Sequence, residues 1–179
     1  EVKTKSLLFV GSLVHYPNVE AIQYFYKKIW PIVKKEVPEV TLTIVGSHPT
    51  EEILRLGDEP AIEVTGFVED VRLYLDQAAV FIAPMRKGFG MKGKILEAMV
   101  RAKPVVTTSI GIRGADVVPG THLLVGDAPD DFAAAVVELL VDSKLRREIA
   151  VAGYELVRSK YDWRSIAEEL DVIYREILS

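Results

Sequence analysis

Short apolar runs alternate with helix-like patterns along most of this chain, and that alternation limits the folds open to it. Six runs read as strands, and they lie at 7–12, 41–46, 62–68, 79–84, 104–108 and 122–126. Continuous apolar runs of this length suit strands that are covered on both faces. Repeated alternation of strand and helix predicts a parallel sheet. We therefore expect an α/β fold: a three-layer, Rossmann-like, doubly wound parallel sheet of about six strands.

Helical patterns occupy the segments between and after these strands. They are predicted at about 18–37, 50–56, 70–77, 94–100, 131–142, 144–160 and from 162 onward. Asn18 and Ser143 are interpreted as helix caps, and Pro31 should kink or divide the first helix. Trp163 begins an apolar stripe that reads as core, with part of it facing a partner domain outside this chain, and the Glu168–Glu169 pair reads as a solvated face.

Composition narrows the functional classes. At 179 residues and 49% hydrophobic content, the chain is large enough for one domain with its own core. A net charge of −4 argues against nucleic acid as a partner, and the lack of cysteine excludes disulfides and thiolate metal sites. No apolar run reaches the ~18 residues of a membrane span, and no signal peptide is visible, so we expect a cytoplasmic protein. Because a strand begins almost at once, we expect the chain to be part of a longer protein.

The most distinctive segment follows the fourth strand and leads into a helix. We call residues 86–94 the glycine turn; it contains three glycines, Gly88, Gly90 and Gly93, and four cations, Arg86, Lys87, Lys92 and Lys94. Glycine lets backbone N–H groups approach a ligand closely. A helix start adds unpaired N–H donors and a positive dipole end. The segment therefore predicts a phosphate-binding turn.

The predicted topology gathers several strand-ending residues at one edge. In parallel sheets the carboxyl ends of the strands lie together, and ligands bind there. The residues expected at this edge are Gly11, Gly46, Phe67, Val68, 86–93 and Thr108.

Two familiar phosphate motifs match the glycine turn only in part. Gly88-x-Gly90-x-x-Gly93 has the letters of the dinucleotide fingerprint, but that motif opens a first βαβ unit and is followed by an acidic ribose ligand. Gly88-x-x-x-x-Gly93-Lys94 has most of a P-loop, but Ile95 replaces the hydroxyl residue that holds magnesium. Neither a dehydrogenase nor a nucleotide triphosphatase is favoured.

A third pattern extends over much of the chain. Gly88-Phe89-Gly90, the run 94–99 and the run 102–108 together resemble the donor-binding domain of group 1 (family 4) glycosyltransferases. Further similarity is found at 8–12, 16–19, 44–46, 64–68, 123–125 and 161–163. The resemblance implies one half of a GT-B fold, in which two Rossmann-like domains enclose the active site. It implies a glycosyltransferase that needs neither cofactor nor metal and retains the anomeric configuration.

The resemblance also implies roles for individual residues. Phe67 and Val68 would meet the base through backbone groups, and Glu97 would accept hydrogen bonds from the ribose. Lys92 and Lys94 would neutralise the leaving diphosphate, which makes Lys92, Lys94 and Glu97 the expected catalytic set. The full expected donor-binding set is Gly11, Ser12, Gly46, Phe67, Val68, Arg86, Gly88, Phe89, Gly90, Met91, Lys92, Lys94, Leu96 and Glu97.

The implied partners are a nucleotide-diphosphate sugar and an amino-terminal domain outside this chain. That absent domain would hold the acceptor and could associate the protein with a membrane. We expect residues 1–179 to form a single nucleotide-sugar-binding domain that binds nucleotide but does not transfer sugar alone.

The sequence departs from the family pattern at two places. The family often has a glutamate before its Gly-Phe-Gly, eight positions ahead of the second glutamate; here Lys87 precedes Gly88, and two extra residues separate it from Glu97. Two family cations after the first strand are absent from 11–17. We expect Arg86, Lys87, Lys92 and Lys94 to supply part of that charge. A GT-B sugar-nucleotide epimerase and a non-catalytic nucleotide- or phosphosugar-binding module remain alternatives.

Overall fold

A six-stranded parallel sheet forms the centre of the molecule. The computed structural model describes residues 4–178, without the side chains of Arg164, Glu168, Glu169 and Leu178, so the predicted Glu168–Glu169 face lies outside the described side chains. The strands are β1 (Ser6–Val10), β2 (Thr41–Val45), β3 (Ile62–Gly66), β4 (Val80–Ala83), β5 (Val105–Thr107) and β6 (Leu124–Val125). Their order is β3-β2-β1-β4-β5-β6, and each neighbouring pair is parallel. The predicted fold class is confirmed.

Helices cover both faces of this sheet. They are α1 (Tyr16–Tyr24), α2 (Trp30–Glu36), α3 (Glu51–Leu54), α4 (Arg72–Gln77), α5 (Gly93–Val100), α6 (Pro129–Val141), α7 (Ser143–Lys160) and α8 (Trp163–Leu178). On one face α2 packs against α6, and on the other α5 packs against α7. Arg101, just after α5, pairs with Asp76 of α4 and joins these two helices on the second face.

Pro31 divides the first helical region as predicted. A π-helical segment, Phe25–Ile29, separates α1 from α2, and Pro31 is the second residue of α2. Proline has no N–H and its ring clashes with the carbonyl one turn earlier, so the wider π turn absorbs a break in the hydrogen-bond ladder. The Phe25 ring then packs edge-on against Phe132 of α6, with 6.0 Å between ring centroids.

Both predicted caps are wrong. His15 occupies the N-cap of α1, and Asn18 lies inside the helix with its side chain buried. Asp142, rather than Ser143, caps α7, because its carboxylate accepts hydrogen bonds from the backbone N–H groups of Lys144 and Leu145, each 2.9 Å long. The carboxylate precedes Ser143 in the chain and satisfies the free donors first.

The last strand and the last helix also differ in detail from the prediction. β6 contains only Leu124–Val125 of the predicted 122–126, since the His122 N–H donates to the Val118 carbonyl in a turn. The last helix begins at Trp163, close to the predicted start, but the Trp163 side chain is 84% exposed. Trp163 therefore lies outside the core of the described chain, and contact of this stripe with a further domain stays a prediction. No described helix combines the length and apolar character that a bilayer span requires.

The crossovers between strands change direction at β1. This strand pairs with β2 on one side and with β4 on the other, so the crossovers leave in opposite directions at the β1–β4 boundary. In open parallel sheets this boundary, the switch point, leaves a crevice beyond the carboxyl ends of the strands. Residues 11–12 after β1 and the glycine turn after β4 border it.

Candidate functional site

Two glycines bring the ends of β1 and β2 close together. The Gly11 N–H donates to the Val45 carbonyl at 3.0 Å, and the Gly46 N–H donates to the Gly66 carbonyl at 3.1 Å. A Cβ at Gly46 would overlap the Gly11 carbonyl oxygen. The sheet edge at the switch point is therefore compact backbone, with no side chain from position 11 or 46 to fill the crevice.

A lysine and an amide meet at this edge. The Lys94 ammonium of α5 donates to the Asn18 side-chain oxygen of α1 at 2.6 Å, and the Asn18 amide nitrogen donates to the Ser12 carbonyl at 2.8 Å. A Cβ at Gly11 would lie only 2.6 Å from Lys94 Nζ and 2.9 Å from Asn18 Cγ. Lys94 Nζ also lies 4.8 Å from the centroid of the Phe9 ring. Residues from β1, α1 and α5 thus form one packed cluster.

The surroundings of Lys94 alter its protonation. Burial lowers the pKa of the Lys94 ammonium to about 8, and the positive charge of Lys92 adds to the shift. Asn18 is a neutral acceptor and cannot balance a full positive charge. An anion placed beside Lys94 would stabilise the charged form and raise this pKa.

The glycine turn closes around a second lysine. Lys92 is the N-cap residue of α5, and its ammonium donates to the carbonyl oxygens of Phe89 and Gly90 at 2.8 and 2.9 Å. Gly88 and Gly90 have φ angles of 113° and 67°, a region that favours glycine. The turn therefore depends on its glycines, and it presents a fixed positive charge next to the start of α5.

The other two cations of the turn are held by α1. Arg86 Nη1 lies 3.5 Å from Glu20 Oε1, and the guanidinium lies 4.3 Å from the centroid of the Tyr24 ring. Lys87 Nζ donates to the Tyr16 hydroxyl at 3.0 Å and lies 4.8 Å from its ring centroid. The ends of both side chains are thus already in contact with protein groups. The predictions that Arg86 and Lys87 contact a ligand remain predictions.

Several predicted site residues are open to solvent. Glu97 lies on α5, one turn after Lys94, and within residues 4–178 it has no hydrogen bond or ion pair. Phe89 is 99% exposed at the tip of the turn, and Phe67 is 75% exposed after β3. Groups without protein partners are available to a ligand or to another part of a larger assembly.

The family model for glycosyl transferases group 1 matches residues 4–142. The chain belongs to this family. The curated relatives include an uncharacterised 44.6 kDa protein in the cps region of Klebsiella pneumoniae, 29% identical over 90% of this chain and 44% of the relative. They also include the capsular polysaccharide biosynthesis glycosyltransferase CapM of Staphylococcus aureus, 27% identical over 95% of this chain and 46% of CapM. The chain spans less than half the length of either relative.

Solved structures show the same fold. TarM of S. aureus, in a complex that includes UDP, superposes with a TM-score of 0.80 at 18% identity over 95% of this chain and 35% of TarM. Anabaena HepE with UDP gives 0.77 at 16% identity over 96% and 49%. The C-terminal domain of the Francisella tularensis group 1 protein LpcC gives 0.73 at 20% identity over 90% and 89%. That last structure is a domain of about the same length as this chain.

In this group 1 glycosyltransferase chain, the structure brings together only part of the predicted set. Gly11, Ser12 and Lys94 meet at the switch point, and Gly46 packs directly behind Gly11. Phe67 and Val68 follow β3, which is separated from β1 by β2. Leu96 is partly buried against the core, whereas Met91 is exposed.

Asn18 is the residue that sequence reasoning missed. It lies three, four and seven positions before Ala21, Ile22 and Phe25, all of which are buried. An amide on the buried face of a helix needs partners, because an unpaired buried polar group is costly. That position on the face is the signal that could have identified it.

Two other features lie apart from this cluster. A pocket of about 310 Å³ opens on the sheet face near α4, and it is lined by Ser6, Leu7, Leu8, Thr43, Glu63, Leu73, Tyr74, Gln77 and Ala78. Across the described residues, no group of three or more His, Asp or Glu side chains could hold a metal ion. The candidate site is an open edge, and its lining is made of backbone, cations and an amide.

Proposed function

We propose that this chain is the donor-binding half of a GT-B glycosyltransferase. It binds a nucleotide-diphosphate sugar and takes part in transferring the sugar, with retention, to an acceptor held mainly by a second domain. One observation carries the proposal: in a chain of the group 1 family, the Lys94 ammonium is fixed at the switch point of the sheet, beside the side-chain-free Gly11.

The pyrophosphate would lie between Gly11 and the start of α5. There the first N–H groups of α5 have no partners inside the helix, and its dipole is positive at that end. The Lys94 and Lys92 ammonium groups add charge on the same side. Structures of TarM and HepE, which share this fold, contain UDP, and this supports placing a nucleoside diphosphate here.

The remaining donor contacts follow from position. Glu97 is exposed on α5 and unpaired within the described chain, so its carboxylate can accept hydrogen bonds from ribose hydroxyls. Phe67 is exposed and Val68 is partly buried just after β3, and their backbone groups would meet the base. Gly88, Phe89, Gly90 and Met91 would contact the diphosphate or the sugar through their backbone.

In the proposed reaction the protein contributes charge and position rather than covalent bonds. The bond between the anomeric carbon and the diphosphate oxygen breaks, and its electron pair stays on the diphosphate. The acceptor oxygen bonds to the anomeric carbon, and its proton passes to the departing diphosphate. Fixed cations next to the leaving group stabilise the developing charge. Because Lys92 and Lys94 can supply this charge, we expect transfer by the full-length protein to continue in EDTA.

We also propose a role for the part of the enzyme outside this chain. The matched relatives are about twice as long as this chain, which supports a second domain that binds the acceptor. We propose a cytoplasmic protein whose second domain could bring it to a membrane. Transfer then requires both domains, and this chain alone binds nucleotide without turnover.

A ligand screen tests the proposal. Thermal unfolding of this chain would be followed with UDP, GDP and ADP, with their sugar conjugates, and with uridine as a control that lacks phosphate. A ligand at 100 times its dissociation constant stabilises by about 2.7 kcal/mol. We expect at least one diphosphate series to stabilise the chain and uridine to have no effect. No stabilisation by any diphosphate, or turnover by this chain alone, would contradict the proposal.

One observation favours a binding module as the second candidate. Lys87 occupies the place of the first family glutamate, and its ammonium is bonded to Tyr16, so no carboxylate is present there. A module would bind the nucleotide sugar but leave it intact. The full-length protein, assayed for sugar transfer and for hydrolysis of the bound donor, separates the two candidates.

A further inference from the structure

Three cations of the glycine turn contact α1, but only one of these contacts lies beside Gly11 at the switch point. Lys87 meets Tyr16 at the surface, and Arg86, which is exposed, meets the mostly buried Glu20 carboxylate. Lys94 meets Asn18, whose side chain is buried. The Lys94–Asn18 contact is therefore the one through which α1 can fix a charge at the switch point.

Both ends of the Asn18 amide are used, and their partners determine its orientation. An ammonium can only donate, so the oxygen of the amide must face Lys94. A backbone carbonyl can only accept, so the nitrogen must face Ser12. Reversing the amide would break both hydrogen bonds. Asn18 therefore holds Lys94 and the loop after β1 in one fixed arrangement.

We propose that Asn18 is a positioning residue, which fixes the Lys94 ammonium at the end of β1 so that it meets the diphosphate of the donor. This inference rests on the proposed donor-binding function. Asn18 acts through Lys94 and makes no contact with the reacting atoms. The empty space at Gly11 is part of the same arrangement, since any Cβ there would displace both side chains.

The lack of charge on the Asn18 amide matters as much as its position next to Lys94. Lys94 is faced by a neutral amide from α1, by the Phe9 ring of β1 and Gly11 just after it, and by the positive Lys92 from the turn. None of these partners supplies a negative charge. The charge of Lys94 therefore remains unbalanced until an anion binds. A carboxylate at position 18 would satisfy it in advance and compete with the diphosphate.

Binding of the diphosphate should be coupled to protonation of Lys94. Burial lowers the pKa of Lys94 to about 8 in the empty site, and a bound diphosphate would raise it. Affinity should then be highest below pH 8 and fall as pH rises above it. At the acid end, affinity should fall as the terminal phosphate gains a proton, with a pKa of about 6.

Isothermal titration of UDP, or of whichever nucleoside diphosphate the screen selects, into this chain between pH 6 and 10 tests the inference. Asn18→Asp keeps the shape of the side chain but adds a charge. We expect it to weaken binding about tenfold at pH 7 and to move the alkaline midpoint upward, because the carboxylate stabilises the ammonium. Asn18→Ala removes the acceptor and should move that midpoint downward. Gln23→Ala, which removes an amide elsewhere on α1, should change neither.

The outcomes separate the two proposals. Midpoints that move in opposite directions in the two Asn18 variants support the positioning role, which a purely structural residue would not show. If the wild-type chain binds and neither Asn18 variant changes the affinity or the alkaline midpoint, this inference is overturned and the proposed function is unaffected. Failure of the wild-type chain to bind any nucleoside diphosphate overturns both. If Asn18→Ala does not fold, the nearly isosteric Asn18→Asp alone decides, by its affinity and its midpoint.

Discussion

The two ends of the glycine turn carry the same charge but are held in different ways. At the outer end, Arg86 and Lys87 lie on tyrosine rings of α1, and Arg86 also pairs with Glu20. At the inner end, Lys92 bonds to backbone carbonyls and Lys94 to a buried amide. Both outer cations are exposed, and Arg86 also has a carboxylate partner that offsets its charge. The inner cations are more buried and have only neutral partners: backbone carbonyls, an amide and, beside Lys94, the Phe9 ring.

This difference indicates a division of labour. A cation balanced by a carboxylate or an aromatic face at the surface helps to attach the turn to α1. A cation held by neutral groups keeps its charge available and costs more to hold, since burial disfavours the charged form. We therefore expect the inner end to bind the anion and the outer end to attach the turn. Substitutions at either end can break or sharpen this contrast.

The largest effect is expected at Lys94. Lys94→Ala should weaken nucleoside diphosphate binding about 30-fold or more, because it removes a charge-assisted hydrogen bond of about 2 kcal/mol at the centre of the site. Lys87→Ala is the matched control from the outer end and should stay within about threefold of wild type. Titration calorimetry at pH 7 measures both. Similar losses in the two variants would remove the contrast.

Lys92 should have an intermediate effect. Lys92→Ala is expected to weaken binding about tenfold, because its ammonium has to give up the Phe89 and Gly90 carbonyls, at least in part, before it can bind phosphate. Lys92→Arg should recover most of the affinity, since the charge is kept. Unchanged affinity in Lys92→Ala would assign this lysine to turn structure alone.

The third prediction concerns folding stability without ligand. The folded state lowers the pKa of Lys94 to about 8, so it disfavours the charged form. That cost is fully present below pH 8 and disappears as pH rises from 8 through the unfolded value near 10.5. Lys94→Met should therefore raise the free energy of unfolding by about 1 kcal/mol at pH 7, where relief of the charge cost exceeds the loss of the Asn18 hydrogen bond. Near pH 10.5 the charge cost is gone, and the variant should be less stable than wild type by about the value of that hydrogen bond.

Chemical denaturation at the two pH values measures this change. Lys144→Met is the control, because Lys144 is exposed on α7, where it pairs with Glu148. It should give no gain at either pH. A Lys94→Met variant that is less stable at pH 7 than at pH 10.5, relative to wild type, would reverse the expected sign.

The smallest effect belongs to Arg86. Arg86→Ala should lower the free energy of unfolding by about 0.5 to 1 kcal/mol, because the ion pair with Glu20 and the contact with Tyr24 lie at a partly exposed site. Nucleotide affinity should change less than twofold. Urea denaturation and calorimetry on one preparation compare the two. A large loss of affinity with little loss of stability would place Arg86 at the ligand.

The sheet and its functional edge can be predicted because local patterns encode them. Apolar runs that end in glycine, such as the run ending at Gly11, mark buried parallel strands. Parallel topology then places every carboxyl end at one edge. The division of the first helix at Pro31 is equally local, since proline removes a donor wherever it occurs.

The partners of the cations cannot be predicted in this way. Lys87 and Tyr16 are 71 positions apart, and Lys94 and Asn18 are 76 apart, so their contacts exist only after the sheet has formed. Four cations in nine residues look alike in the sequence. Asn18 resembles a cap because asparagine favours that position, but the helix begins earlier and buries it. The stripe that begins at Trp163 has helical spacing, yet spacing alone cannot show whether a partner surface is present.

The empty space at Gly11 carries an implication for related sequences. A methyl group there would fall on both Asn18 and Lys94, so a larger residue becomes tolerable only when those two shrink or turn away together. Positions 11, 18 and 94 should therefore covary among homologues, although they come from three separate elements. A lineage that loses the lysine at position 94 would be free to carry a larger residue at position 11. Such a paired change would indicate that the lineage binds its ligand through other groups.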